Sequence, residues 1–163
     1  MRSCLKFYFF AIFSAVVFSA SGQVGNKEVA QQLIEIADGA YYNLKVLIIA
    51  NEQYVQAAEM DPDNIEANYM AGKTYLETNF KDRATKYFLR VLELDPNYKF
   101  NIHFLIGQAY QYGMQYSKAF NHFDLYLSKV EQSDRRGGGD FTPVSEVERR
   151  IFECQNGLEK LLK

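Results

Sequence analysis

Few residues of this chain could carry reactive chemistry: His103 and His122, Cys154, and the glycine run of "RRGGGD" at 135–140. The histidines stand nineteen residues apart and at different places in the repeat unit described below. That is not a spacing that sets two imidazoles on one helix around a metal ion, so ordinary packing or exposure accounts for them. "RRGGGD" has the glycines of a phosphate-cradling loop, but it follows a helical pattern rather than a strand. It also lacks the Gly-Lys-Ser/Thr ending of such loops, and it reads as a connector. Cys154 falls on an apolar stripe, where cysteine behaves as a small hydrophobe. No nucleophile is spaced with a base to activate it, and the carboxylates are scattered along outward helix positions. The expectation is therefore a non-enzymatic protein with no cofactor and no metal.

Composition limits the partners. The 163 residues have room for one domain, and 48% hydrophobic content suits a packed core,. With 12 Tyr, 13 Phe, no Trp and 3 Pro, large rings must be packed again and again between regular elements. The first residues are a separate object: Arg2 and Lys6, an apolar run from Phe7 to Phe18, then Ala20-Ser21-Gly22. This is the pattern of a secretory signal peptide over 1–22, too short to span a bilayer, with the mature chain starting at Gln23. Cys4 lies before the apolar run rather than after the small residues, so a lipid anchor is not expected, nor is a transmembrane segment in the mature chain. Removing the leader leaves 18 − 2 = 16 basic residues against 20 acidic ones, a net charge of −4, and nucleic acid is excluded as a partner class. Cys154 is then the sole thiol, so no internal disulfide can form and packing alone must hold the fold.

The elements that position these residues repeat. "AAEMDPDN" and "VLELDPNY" place Pro62 and Pro96 thirty-four residues apart, and the same spacing relates Tyr41 to Tyr75, Ala50 to Ala84, Tyr54 to Phe88 and Ala57 to Val91. A third copy follows at thirty-five: Gly72 to Gly107, Tyr75 to Tyr110, Ala84 to Ala119 and Phe88 to Phe123. Each copy holds two segments with apolar residues every three or four positions, such as Ala67 to Thr78 and Asp82 to Leu94, and so predicts a helical hairpin. Gly72 and Gly107 should let the first helix approach the second, and the small Ala50, Ala84 and Ala119 should leave room for the rings before them. Proline ends the second helix of the first two copies. The first copy has Asp38 where the glycine belongs, which predicts looser packing there.

Gly, Tyr, Ala, aromatic and Pro at this period resemble the tetratricopeptide (TPR) repeat. The resemblance implies an all-α superhelix of three hairpins, at about 31–64, 65–98 and 99–133, within 23–133. A Gly-rich linker at 134–143 and a capping helix at 144–163 follow. In that helix Val147, Ile151, Cys154, Leu158 and Leu161 form one stripe,, and Ser145 with Glu148 could make a capping box. The signal peptide, the three repeats and "RRIFECQNG" after them are similar to the N-terminal region of bacterial cell-envelope proteins that continue into a β-propeller and an OmpA-type domain. Those domains are not in this sequence, so peptidoglycan is an indirect partner at most. What the resemblance implies is a periplasmic or outer-membrane-peripheral scaffold for envelope proteins.

TPR units line a concave groove with positions 2, 5, 9, 12 and 13 of the first helix. By register these are Gln32, Glu35, Gly39, Tyr42 and Asn43; Glu66, Tyr69, Lys73, Leu76 and Glu77; and Asn101, Phe104, Gln108, Gln111 and Tyr112. Tyr42, Asn43, Tyr69, Lys73, Phe104, Gln108, Gln111 and Tyr112 are the expected partner-binding residues, the rings serving as anchors. With Lys73 as the one cation among these positions, a grip on a peptide's terminal carboxylate is not expected. The alternative reading is a glycan- or peptidoglycan-binding module that stacks sugars on Tyr42, Tyr69 and Tyr112.

Overall fold

The computed structural model describes residues 25–132 and 141–163, and every regular element among them is helical. The expected leader and most of the glycine-rich linker lie outside the described residues. Helix α1 (25–38) runs directly into a π-helical turn, Gly39–Leu44. Then come α2 (Leu47–Met60), α3 (Ile65–Glu77), a 3₁₀ turn (Lys81–Arg83), α4 (Ala84–Leu94), α5 (Ile102–Tyr112), α6 (Tyr116–Gln132) and α7 (Val144–Leu161). The helices pair as the hairpins α3–α4 and α5–α6, with α7 packed on α6, and α1 lies against α2 through Ala30, Ile34, Ala37 and the Asp38–Tyr54 hydrogen bond.

The helix ends follow from local sequence. α2 stops at Met60, one residue before the Asp61-Pro62 turn, and α4 stops at Leu94 before Asp95-Pro96, because proline disfavours helix in the residue ahead of it. Asn64 then starts α3, its side chain accepting from the Ala67 amide at 3.0 Å, as N-cap asparagine does. Asn68, one turn on, donates to the carbonyls of Pro62 and Asn64 and so ties this turn to the helix it begins. α6 has no proline to stop it and continues to Gln132, longer than α2 or α4.

Side-chain size at one repeat position sets the approach within each hairpin. A Cβ on Gly72 would lie 2.7 Å from the Phe88 ring, and one on Gly107 only 2.5 Å from the Phe123 ring. The aromatic side chain of the second helix thus lies against bare backbone of the first. Ala50, Ala84 and Ala119 are fully buried around the same contacts. In the first hairpin Asp38 takes the glycine position and the contact is of a different kind. Asp38 accepts a hydrogen bond at 2.5 Å from the hydroxyl of Tyr54, whose side chain is fully buried. A carboxylate–phenol pair replaces the glycine–phenylalanine pair, and the helix widens into its π turn at the next residue. The buried side chains form two clusters, one across α1–α4 and one across α4–α7, and Tyr69 and Tyr75 pack against both.

α7 closes the second cluster with Val147 and Cys154, both fully buried, whereas Leu161 at the end of the expected stripe is exposed. A Cβ on Gly157 would meet the Tyr116 ring at 2.6 Å, so the glycine-to-ring contact of the hairpins recurs between α7 and α6. The expected capping box does not form: α7 begins at Val144 with Pro143 at the N-cap and no side-chain cap bond. Pro143 fixes the entry instead, and Ser145 is an exposed first-turn residue. Just before it, Thr142 both donates its amide to the Tyr126 hydroxyl, at 2.7 Å, and accepts from that hydroxyl through its carbonyl, at 2.9 Å. The last residues of the expected linker are therefore pinned to α6.

Candidate partner-binding cleft

The predicted groove residues separate into three environments. At the first one, the end of α1, the inner side of α3 and the turn before α2 enclose a cleft of about 440 Å³ lined by Tyr41, Tyr42, Lys45, Leu47, Lys73 and Glu77. Tyr41 donates its hydroxyl to Glu77 Oε1 at 2.6 Å, and the Lys73 ammonium lies 5.3 Å from the Tyr41 ring centroid. Tyr42 stands edge-on to Tyr41 with centroids 4.9 Å apart and is about half exposed. Burial, then the Glu77 carboxylate, pushes the Tyr41 hydroxyl well above the ordinary phenol range. Burial, with Asp38 next, raises that of Tyr42. Both remain neutral donors at physiological pH, so the cleft offers phenol O–H groups, aromatic edges and cations of two lysines against one carboxylate. Asn43, expected in the groove, is exposed and is not among the residues lining this cleft.

Lys45 and Leu47 were not anticipated here. Lys45 adopts a left-handed backbone, φ 58°, and its amide bonds the Ala40 carbonyl to close the π turn. Nothing in the register predicts a π turn, which shifts the residues after it relative to an ordinary helix. The signal available was Asp38 breaking the repeat one residue before the turn begins.

The second environment is the interior. Phe104, expected as a groove anchor, is 6% exposed and packs against Phe123 and Tyr126 with centroids 5.7 and 5.9 Å away. It is a core residue, since the rings of α6 leave it no route outward. Tyr69 is half-buried between Phe88 and Tyr98, at 6.1 and 5.7 Å, with the Lys99 ammonium 5.4 Å from its ring. Gln108 is half-buried on α5.

In the third environment α7 already occupies the groove positions. Gln111 donates to Glu153 at 2.9 Å and accepts from Arg150 at 3.1 Å, and the Arg150 guanidinium lies 5.8 Å from the Tyr112 ring. Lys81 sits 5.2 Å from the same ring. Gln111 is thus a clasp for α7 rather than an open contact, and both cations lie over the exposed ring of Tyr112.

The histidines, expected to be ordinary packed or exposed residues, form a pair that their spacing did not reveal. Across α5 and α6 their Nδ1 atoms are 3.1 Å apart, and the ring centroids are 5.4 Å apart, so the nitrogens face one another nearly head-on, as in an N–H···N hydrogen bond. Burial pushes His122 down to about 4, with His103 as a further cause, and burial followed by Lys129 lowers His103. Both are neutral at pH 7. Among the described residues no group of three or more His, Cys, Asp or Glu side chains could hold a metal ion. The Cys154 thiol is pushed up to about 11 by burial and then by Glu153, which leaves it protonated and unreactive.

No family model matches the sequence, and no curated protein matches it. Solved structures do. The TPR domain of Arabidopsis OM64 aligns with a TM-score of 0.59 at 16% identity, over 80% of this chain and 98% of that one. The first TPR of Spaghetti (RPAP3), bound to the HSP90 peptide SRMEEVD, gives 0.59 at 14% identity over 82% and 95%. The TPR2B domain of yeast Sti1, in a pHsp70 complex, gives 0.59 at 12% over 79% and 98%. Likeness at these identities establishes the fold: the described helices form a TPR-type stack.

Proposed function

We propose that the chain is an exported, non-enzymatic scaffold that holds a segment of a partner protein within a bacterial cell-envelope complex, one associated with secretion or with OmpA-type, peptidoglycan-bound proteins. The observation that carries this reading is the open cleft between α1 and α3. Tyr42, Lys73 and Glu77, three groove positions of the register, meet Tyr41, Lys45 and Leu47 there. Structures of the same fold hold an HSP90 peptide and an Hsp70 partner, which supports a polypeptide as occupant. Export rests on the leader pattern at 1–22. Sugar stacking is disfavoured because Tyr69 is packed between rings and Tyr112 lies beneath two cations.

A photo-crosslinking amino acid at position 42, in cells that make the protein, tests the reading. It should yield an adduct with one envelope protein that is lost on Lys73→Ala with Glu77→Ala, and the purified protein should begin at Gln23. Adducts with glycan alone, or no adduct from a folded, exported chain, would sink it.

A further inference from the structure

The three hairpins reverse on one edge of the stack, at 43–47, 78–83 and 113–115, and each of these turns exposes large apolar side chains. Val46, Phe80 and Met114 occupy it at intervals of thirty-four residues, and Leu44 and Ile48 flank the first turn. Leu44 is 71% exposed, Ile48 79%, Phe80 55% and Met114 66%. Turn tips of soluble stacks are ordinarily polar, and contiguous apolar exposure marks a contact surface.

The patches adjoin. Leu47, Ile48, Asn51, Glu77, Thr78, Asn79 and Phe80 line a single cleft of about 370 Å³. The second turn meets the third, for a Cβ on Gly113 would lie 3.4 Å from that of Asp82. Charge points the same way. The turns and the cleft that joins them carry Lys45, Lys81 and Arg83 against Asp82 and Glu77, a surplus of 3 − 2 = +1 on a chain whose net charge is −2. The Arg83 guanidinium lies 4.7 Å from the Phe80 ring, a cation beside an apolar tip.

We propose that this edge docks on an anionic lipid surface, the apolar tips entering the acyl boundary while Lys45 and Arg83 lie among the headgroups. The contact is peripheral, since no described helix is long and apolar enough to cross a membrane. A second copy of the chain is a poor occupant, because an edge facing itself would bring its cations together. The partner cleft at Tyr42 and Lys73 opens beside this edge, sharing Leu47 and Glu77 with it, so docking would hold the cleft next to the bilayer.

The test is flotation of residues 23–163, which contain every described helix and both buried clusters, with phosphatidylcholine vesicles holding none or 30% phosphatidylglycerol. Binding should require the anionic lipid and weaken with salt. It should fall about fivefold for each of Lys45→Gln and Arg83→Gln, the factor expected per charge near such a surface, and about tenfold or more for Ile48→Ser with Phe80→Ser. Circular dichroism and melting temperature of these variants, all of exposed side chains, establish that they are folded. Binding equal on the two vesicle types, no binding to either, or binding indifferent to the variants would overturn the proposal. So would wild-type dimers that become monomers in the Ile48→Ser, Phe80→Ser variant by light scattering.

Discussion

The pair Asp38–Tyr54 permits a test of how one repeat position sets the hairpin. In the second and third hairpins the equivalent pair is Gly with Phe, the ring lying on bare backbone; in the first it is a carboxylate accepting from a fully buried phenol at 2.5 Å. Asp38→Gly alone strands the Tyr54 hydroxyl in the core, which costs about 1–3 kcal/mol, and Tyr54→Phe alone takes a donor from a partly buried carboxylate, costing about 1.5–3 kcal/mol. Each should lower the melting temperature by about 2–12 °C, at about 2–4 °C per kcal/mol for a chain of this size. The double variant removes both partners and recreates the pair used by the other two hairpins. It should cost no more than one single change, giving a coupling energy of about 1.5–2 kcal/mol in a double-mutant cycle. Urea unfolding followed by circular dichroism at pH 7 measures all four chains. If the two costs add to within about 0.5 kcal/mol, the hydrogen bond does not replace the glycine contact and the reasoning fails.

Gly107→Ala should destabilise the chain by about 1–2 kcal/mol, because the clash with Phe123 at 2.5 Å costs more than alanine's better helix propensity returns; Phe123→Leu in the same chain should recover part of that loss, and a gain in urea midpoint from Gly107→Ala would refute the contact. The histidine pair predicts acid sensitivity. Both imidazoles are held below their ordinary value and His122 at about 4, so the unfolded chain binds more protons between about pH 6.5 and 4, and stability is complete above that window and lost as pH falls through it. From pH 7 to 4.5 the His122 share is about 2 kcal/mol, and His122→Gln should flatten the pH dependence of the urea midpoint by that amount; an unchanged slope counts against the pairing.

What the sequence made legible was whatever depends on periodicity and on proline. Helix spacing located the hairpins, and the Asp-Pro steps marked where α2 and α4 end. Contacts across a hairpin were legible only in part. Gly72 meets Phe88 and Gly107 meets Phe123 because each pair straddles its turn almost symmetrically, and His103 and His122 straddle the turn at 113–115 in the same way. Their separation excluded a pair on one helix but not one across two, and pairing residues about the turn would have found them. Phe104 was misplaced for a different reason. The register gives a position its direction, but burial depends on what the neighbouring helix presents. Glu35 at the same position of the first copy is exposed, whereas Phe104 meets Phe123 and Tyr126. The clasp of Gln111 by α7 depends on a docking geometry that no repeat encodes.

That clasp also constrains where a partner can bind. A ligand seated along the whole register-defined groove would have to take Gln111 from Arg150 and Glu153, and the cations from over Tyr112. Those bonds are partly exposed and individually weak, so they alone would not exclude it. α7, however, cannot swing away without uncovering Val147 and Cys154, which are fully buried, and the valine by itself represents about 1.5–3 kcal/mol of lost burial. The Tyr126–Thr142 hydrogen bonds would go with them. Displacing α7 therefore costs more than a few groove contacts return, whereas the cleft at Tyr41, Tyr42, Lys45, Leu47, Lys73 and Glu77 is open without any rearrangement. Binding energy is for that reason expected to concentrate in the first two repeats. Substitutions at Tyr42 and Lys73 should weaken partner binding far more than Gln111→Ala, and an equal loss from Gln111→Ala in a chain whose α7 remains docked would contradict the argument.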